Sequence, residues 1–430
     1  MNDEKIVVVG ASLAGLRAAE ALREQGFAGS VTLVGDEPHR PYDRPPLSKA
    51  VLAGRLDAKN TQLPQIRPLD ARWLLGVAAS ALDRQRRQIV LADGRRIGYD
   101  KLLIATGTHA RPWPNAAEAS LNGVHLLRGL DDAGRLRAAL VAGPRRVLVI
   151  GGGFTGSEVA SVCRDMGIEV TLVQRGTAPL ATALGTVVGR FAARVQRAAD
   201  VDLRTNTTVE VLEGDAAGRL RRARLSDGTT IETDLAVVAL GAVGNVGWLS
   251  GSGLSADERG VLCDASCRVL DLDGRIAENI YAAGDVARWP HPLYDGRLVR
   301  LDHWDNAISQ ARVAAHTMVH GHRAPKAHDE LPSFWSNQFG MNLKSVGLTA
   351  PADEVAITQG SPDADKFVVT YGHRGRLVAA VAVNAPRVLD GYAALIRARS
   401  PFPPEINATD GPAELTPVPA HSPFAADGRD

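Results

Sequence analysis

KIVVVGASLAGLRAAEALREQGFAGSVTLVGDE, residues 5–37, reads as a short apolar strand, a glycine-containing turn, a helix with helical apolar spacing, and a second strand ending in acid. In that order the dinucleotide fingerprint has a mechanism. Gly10 makes the tight turn and Gly15 lets the helix lie close on the strand. Leu13 and Ala14 open a helix whose first N–H groups face a pyrophosphate. Asp36 or Glu37 can accept hydrogen bonds from a ribose 2′-hydroxyl. Ser12 departs from the pattern: where the middle glycine should stand it adds a Cβ, and also a hydroxyl donor.

Further along, RRVLVIGGGFTGSEVASVCRDMGIEVTLVQR, residues 145–175, repeats the design, and here Gly151, Gly153 and Gly156 complete the spacing, with Phe154 and Thr155 between them. One such motif is weak evidence, but two in sequence, each between strand and helix, predict two nucleotide-binding α/β units. The second unit ends in Gln174, not in a carboxylate, and Arg175 follows. A carboxylate repels a 2′-phosphate and Arg pairs with one, so both NADH and NADPH stay open. Strand-like KLLIA leads to Ala105, Thr106 and Gly107, DLAVVALGA leads to Gly241, and NIYAAGDVA leads to Gly284 and Asp285. The Asp285 carboxylate can bind a ribityl hydroxyl or cap a helix opened by VARW.

A length of 430 residues predicts two or three domains. Hydrophobic content of 45% with 23% charged residues is globular, and a net charge of +1 argues against a general nucleic-acid or anionic-membrane binder. Nothing approaches a membrane span, and MNDEKIVVVG lacks the pattern of a signal peptide, so a cytoplasmic protein is expected. The histidines show no metal-ligand spacing; His303, beside Trp304, is the one to test near a cofactor.

PHRPYDRPPLSK, residues 38–49, follows the first cradle with four prolines and three cations, Arg40, Arg44 and Lys49. Proline fixes φ and lowers the entropy lost on ordering a loop, so the cations are held at low cost. This loop, both cradles, and the motifs GDV, HWDNA and FWSNQ resemble the FAD-dependent NAD(P)H ferredoxin and rubredoxin reductases that serve bacterial oxygenases. That branch belongs to the pyridine nucleotide-disulfide oxidoreductase superfamily but lacks the redox cysteines.

The resemblance, over about residues 4–400, implies an α/β fold with two Rossmann-like dinucleotide-binding domains plus a smaller C-terminal αβ domain. FAD would occupy residues 1–112 and 244–322, NADH or NADPH residues 113–243, an interface domain would span 323–400, and 401–430 would form a Pro-rich tail. Within 323–400, KFVVTYGHRGRLVAAVAV reads as a hairpin and RVLDGYAALIRAR as a helix. The tail is expected to be poorly packed or wrapped. By the same resemblance, Arg44, Lys49, Ala79, Arg128, Asp285 and Trp304 would meet FAD. Trp335 would lie at the nicotinamide side and Glu158 near the nicotinamide amide, with Lys49, Glu158 and Trp335 serving the reaction. Departures from the family pattern are Ser12, Gln174 and Asn337.

No cysteine precedes Cys163, which disfavours a disulfide or single-thiol relay beside a flavin. Cys163 reads as core, and Cys263 and Cys267 lack the spacing of a zinc or iron-sulfur site. The expected activity is then hydride uptake from nicotinamide and single-electron delivery to an acidic iron-sulfur ferredoxin that docks on basic residues. That ferredoxin would feed a haem monooxygenase or a Rieske-type oxygenase, and the reductase would be a monomer or homodimer. Two other readings share these motifs: a small-acceptor reductase or NADH oxidase, and a redox-switch flavoprotein resembling apoptosis-inducing factor.

Overall fold

The computed structural model describes residues 4–321, 324, 326–405 and 416–417. The chain forms two compact units. The first comprises Met1–Asp43, Thr61–His109 and Ala242–Pro332; the second comprises Arg44–Asn60, Ala110–Gly241 and Ser333–Asp430.

At the centre of the first unit is a six-stranded sheet. Its strands run in the order Arg268–Leu270, Ile276–Ala282, Lys101–Ile104, Lys5–Val9, Ser30–Val34 and Arg72–Leu74. All neighbours are parallel except the first pair. KIVVV and KLLI are apolar along nearly their whole length because a parallel sheet covered on both faces buries both sets of side chains. Val8, Leu33 and Leu103 are fully buried, each contributing about 2 kcal/mol of hydrophobic stabilisation. The helices Leu13–Glu24 and Trp304–His320 pack on this sheet in one core through Ala18, Leu22, Ala311 and Met318. The chain enters at the central strand, steps outward twice, and then resumes on the other side of that strand. That reversal leaves a crevice beyond the carboxyl ends of Lys5–Val9 and Lys101–Ile104, the place where such sheets bind ligands.

A second parallel sheet in the other unit repeats the pattern, in the order Val201–Thr205, Glu169–Gln174, Arg146–Ile150, Leu235–Val238 and Val124–His125. Its reversal falls between Arg146–Ile150 and Leu235–Val238. The same unit contains an antiparallel sheet of Ser333–Gln338, Met341–Gly347, Arg376–Val383, Lys366–His373, Glu354–Ser361 and Thr416–Pro417. This sheet shares a core with the helix Ala181–Ala198, where Phe191 meets Phe367 edge-on at 5.0 Å and the Tyr371 hydroxyl donates to the Leu184 carbonyl. The expected hairpin joins Lys366–His373 to Arg376–Val383 through Arg374 and Gly375, both at positive φ, and the expected helix is Leu389–Arg397.

One expectation changes. VARW opens no helix, because Ala287–His291 is a strand, so Asp285 caps none there. At the start of the expected tail, Phe402 donates its N–H to the Gly375 carbonyl, and its ring lies so close to Gly372 that a Cβ there would come within 2.5 Å of it. The tail beyond Glu405 lies outside the described residues, apart from Thr416–Pro417.

An aromatic cluster in the first unit sets a pH dependence. His328 Nε2 lies 2.9 Å from Asn306 Oδ1, and the ring packs at 5.0 Å from Trp289. Asn306 Nδ2 donates to the Leu301 carbonyl, so its Oδ1 accepts and His328 Nε2 carries a proton. Burial, with His291 nearby, lowers the His328 pKa to about 3. Between about pH 3 and 6.5 the unfolded chain therefore binds a proton that the folded chain refuses. The resulting stability is complete above pH 6.5 and is lost as pH falls toward 3. At pH 5 the loss amounts to about 2 kcal/mol. Calorimetry at pH 7 and pH 5 should show a smaller drop in melting temperature for His328→Gln than for the unaltered protein.

Candidate functional site

The first cradle is shaped by contacts that only glycine permits. Gly10 has φ +119°, and a Cβ on it would fall 2.0 Å from the Ala105 carbonyl oxygen. On Gly15 a Cβ would fall 1.9 Å from the Gly10 carbonyl oxygen. The turn is thus pressed against both the returning strand and its own helix, which brings the first N–H groups of Leu13–Glu24 to the crevice. Ser12 takes the N-cap position of that helix without capping it through its side chain, so its hydroxyl remains available to a ligand. Gly284, at φ +79°, lies against Ala14 and donates its N–H to Gln310 Oε1 at 2.9 Å, which sets the backbone leading to Asp285. Thr106 Oγ1 donates to the Asn245 carbonyl and Asn245 Nδ2 donates back to the Thr106 carbonyl, both at 2.8 Å. Asp36 is exposed at the end of its strand, whereas Glu37 accepts from the Tyr42 hydroxyl. Trp304 donates Nε1–H to Asp43 Oδ1 at 2.8 Å, and Ala79 begins the strand Ala79–Asp83. His303, beside Trp304, is half-buried, and desolvation keeps its pKa below the usual histidine range. An FAD pyrophosphate and adenosine fit this donor set: helix N–H groups at a bare glycine turn, with a carboxylate at the next strand end.

The second cradle is built in the same way. A Cβ on Gly151, at φ +110°, would meet the Ala239 carbonyl oxygen at 2.4 Å, and one on Gly156 would meet the Gly151 carbonyl oxygen at 2.0 Å. Gly153 differs. It caps the helix Phe154–Asp165, has ordinary φ, and a Cβ there would meet nothing within 4 Å. That open space adjoins the start of the helix Phe154–Asp165. Phe154 packs on Phe334 with ring centroids 4.0 Å apart, and Thr155 follows it in the first helical turn. Gly241 lies just past the strand Leu235–Val238 with φ +88°.

On the same helix, Glu158 is the centre of a buried charge network. Its Oε2 accepts from Lys49 Nζ at 2.8 Å and from the Ser48 hydroxyl, and its Oε1 accepts from the Ser336 hydroxyl. Gln338 Nε2 in turn donates to Ser336 Oγ at 3.0 Å. The Glu158 and Lys49 side chains are 6% and 24% exposed. A carboxylate this deep needs its charge and lone pairs satisfied, and three donors from two other segments do so. Lys49 and Ser48 reach it because Pro45 and Pro46 lead into a single π-helical turn, Leu47–Val51, with Lys49 Nζ also donating to the Pro45 carbonyl.

The proline-rich stretch sends its three cations to three different partners. Arg40 stacks 4.6 Å over the Trp73 ring, Arg44 donates to the Arg128 carbonyl, and Lys49 pairs with Glu158. Arg128 itself donates its N–H to Asp132 at the start of the helix Leu130–Val141. Trp335 sits on the strand Ser333–Gln338 beside Ser336. Sequence reading missed Ser48, Ser336, Gln338, Asp43, Asn245 and Gln310. Ser48 and Ser336 stood inside quoted motifs, next to Lys49 and Trp335, but a serine carries no periodic or spacing signal of its own.

Cys163, Cys263 and Cys267 are buried and form no disulfide. Burial raises the Cys163 pKa to about 12 and raises those of Cys263 and Cys267 as well, so none offers a thiolate near neutral pH. Among the described residues no group of histidine, cysteine and carboxylate could hold a metal, and no helix is long and apolar enough to cross a membrane.

Comparison with known proteins agrees with this geometry. Residues 4–311 match the family described as pyridine nucleotide-disulphide oxidoreductase, and residues 333–416 match the reductase C-terminal family. The probable ferredoxin reductase CtmF of Castellaniella defragrans is 35% identical, with 89% of this chain and 91% of the relative covered. Putidaredoxin reductase CamA of Pseudomonas putida is 35% identical, with 94% of each covered. The reductase in the crystal structure of a covalent putidaredoxin reductase-putidaredoxin complex superposes with a TM-score of 0.85 at 33% identity, over 93% of this chain and 94% of that one. Two glycine-shaped cradles at two sheet reversals, followed by the matching C-terminal domain, place this chain in the pyridine nucleotide-disulphide oxidoreductase family, whose members use FAD, among relatives that are NAD(P)H-dependent ferredoxin reductases.

Proposed function

We propose that the protein is an FAD-containing NAD(P)H:ferredoxin reductase that delivers single electrons to an acidic iron-sulfur ferredoxin serving a haem monooxygenase or Rieske-type oxygenase. The observation that carries this reading is the pairing of two glycine-shaped dinucleotide cradles with three cysteines that are all buried, their thiol pKa values raised by burial. Two nucleotides bind, and no thiol relay stands ready to carry the electrons onward. Bound FAD supplies the exchange between a two-electron hydride and single electrons.

Within the first cradle, Gly10, Ser12, Leu13, Ala14 and Gly15 present the backbone to the pyrophosphate, Asp36 takes the adenosine ribose, and Asp285 takes the ribityl chain. Ala105, Thr106, Gly107 and Gly284 hold the crevice walls, with Ala79 and Trp304 as flanking contacts. In the second cradle, Gly151, Gly153 and Gly156 admit the nicotinamide dinucleotide, and Phe154, Thr155 and Gly241 line its approach. Hydride delivery from a nicotinamide requires no protein acid or base, so Lys49 and Glu158 act by position and charge. Their pairing keeps a hydrogen-bonded, net-neutral charge set on the helix that carries the second cradle.

Reduction of cytochrome c in the presence of NADH or NADPH tests the proposal: the rate should depend on added two-iron ferredoxin. Equal rates without ferredoxin would transfer the assignment to a small-acceptor reductase. An acidic partner docking on arginine and lysine also makes turnover salt-dependent, because the Debye length shrinks from about 10 Å at 0.1 M to about 3 Å at 1 M ionic strength. Raising NaCl from 0.05 M to 0.5 M should raise the apparent KM for ferredoxin several-fold, on the order of tenfold. Its value for the nicotinamide should change less.

A further inference from the structure

The two cradles end in opposite chemistry. The second strand of the first closes on Asp36 and Glu37, whereas the matching strand of the second, Glu169–Gln174, closes on Gln174 and Arg175. The surrounding loops reinforce the contrast. The segments that follow the carboxyl ends of four of the five strands of this sheet read GGGFTGS at 151–157, QRGTAPL at 174–180, NTT at 206–208 and ALG at 239–241, and none contains a carboxylate; the fifth strand, Val124–His125, leads to Asp131 and Asp132, of which Asp132 accepts from the Arg128 and Gly129 N–H groups. Glu158, the next acid along the helix, is committed to Lys49, Ser48 and Ser336.

Gln174 has a determined orientation. Its Oε1 lies 2.8 Å from the Gly152 N–H. An N–H can only donate, so the carboxamide must turn its oxygen to the glycine loop and its Nε2 donors the other way. Nε2 then lies over Gly176, where a Cβ would come within 2.9 Å of it. The flanking loop is held as well: Thr207 N–H donates to the Gln174 carbonyl and Asn206 N–H to the Gly176 carbonyl. Arg175 is exposed and makes no hydrogen bond or ion pair with a described residue. The strand end therefore presents an amide NH₂ and an uncommitted guanidinium at the position where a carboxylate would accept from a ribose 2′-hydroxyl and repel a phosphate.

We propose that Gln174 and Arg175 form a 2′-phosphate subsite, making NADPH the preferred nicotinamide of the second cradle. Guanidinium and phosphate match in charge and in fork geometry, and the Gln174 Nε2–H groups can donate to a phosphate oxygen without any opposing negative charge. This inference rests on the reading of the second cradle as a nicotinamide dinucleotide site.

Calorimetric titration of the purified holoenzyme with adenosine 2′,5′-bisphosphate and with 5′-AMP measures the 2′-phosphate directly, independent of turnover. The bisphosphate should bind more tightly by about tenfold or more, the size expected of a charge-assisted contact. Gln174→Glu should bring that affinity ratio to about one or below by repulsion. Arg175→Ala should lower it about fivefold or more, and Arg175→Lys, which keeps the charge but not the fork, should retain part of it. The ratio of kcat/KM for NADPH to that for NADH should move in the same direction in each variant. If 5′-AMP binds and NADH is oxidised but the bisphosphate gains nothing, the subsite is refuted while the cradle stands. A ratio unchanged in Arg175→Ala refutes it too. If neither nucleotide binds, the inference and the nicotinamide reading fall together.

Discussion

Replacing Lys49 by methionine should destabilise the second unit by about 3 kcal/mol and slow reduction by the nicotinamide on the order of tenfold or more. The stability loss follows from what remains. Glu158, 6% exposed, would retain its two serine donors but lose the only cation at its carboxylate among the described residues, leaving a buried charge uncompensated. The cost belongs to the stranded carboxylate more than to the lost attraction, so removing both charges should behave differently. Lys49→Met combined with Glu158→Met should recover most of the stability, because an apolar pair of similar size replaces a buried ion pair with little net cost. It should not recover the rate. Stopped-flow reduction under anaerobic conditions, set beside thermal melts of the two single variants and the double, separates the effects. If the double variant reduces as fast as the unaltered protein, the pair is only structural.

Gly10→Ala should abolish FAD retention and leave little soluble protein. Two independent penalties fall on one methyl group: a backbone at φ +119° that L residues rarely adopt, and a contact of 2.0 Å with the Ala105 carbonyl oxygen, which belongs to the backbone of the returning strand and cannot rotate aside. Either would cost more than about 1 kcal/mol, and together they displace the turn that presents the helix N-terminus. Gly153→Ala is the counterpart. Its φ is ordinary and its added methyl meets no protein atom within 4 Å, so the protein should fold, bind FAD and melt as before. The methyl enters the space a pyrophosphate needs, and the KM for the nicotinamide should rise about tenfold. Flavin absorbance per mole of chain and steady-state kinetics check the pair. A yellow, stable Gly10→Ala protein would refute the first assignment, and an unaltered KM in Gly153→Ala would refute the second.

Different parts of the molecule were legible to different degrees. Both cradles were readable because everything they require is local: an apolar strand, glycines at short fixed spacing, a helix with a 3.6 period, and a strand end of defined charge. The hairpin at Lys366–His373 and Arg376–Val383 was readable for the same reason, since a turn at Arg374 and Gly375 lies within the stretch that predicts it. The prolines of residues 38–49 announced an ordered loop but not its destinations. A cation's sequence neighbours do not say whether it will meet an indole ring, a backbone carbonyl or a carboxylate, and Arg40, Arg44 and Lys49 meet one of each. Asp285 shows the opposite error: a local capping rule suggested a helix, and pairing with Gly260–Leu262 and Arg297–Val299 made the segment a strand.

By itself, the chain's sequence determined that it carries two dinucleotide fingerprints, in which order they come, and that no cysteine precedes Cys163. Only the tertiary structure decided that Glu158 receives Lys49 from 109 residues upstream and Ser336 from 178 residues downstream, and that the Gln174 carboxamide turns its oxygen to the Gly152 N–H and its donors toward Gly176. The physical reason is range. Backbone conformation and amphipathic period are set within a few residues, whereas the partner of a buried charge is set by which distant segments the core brings together.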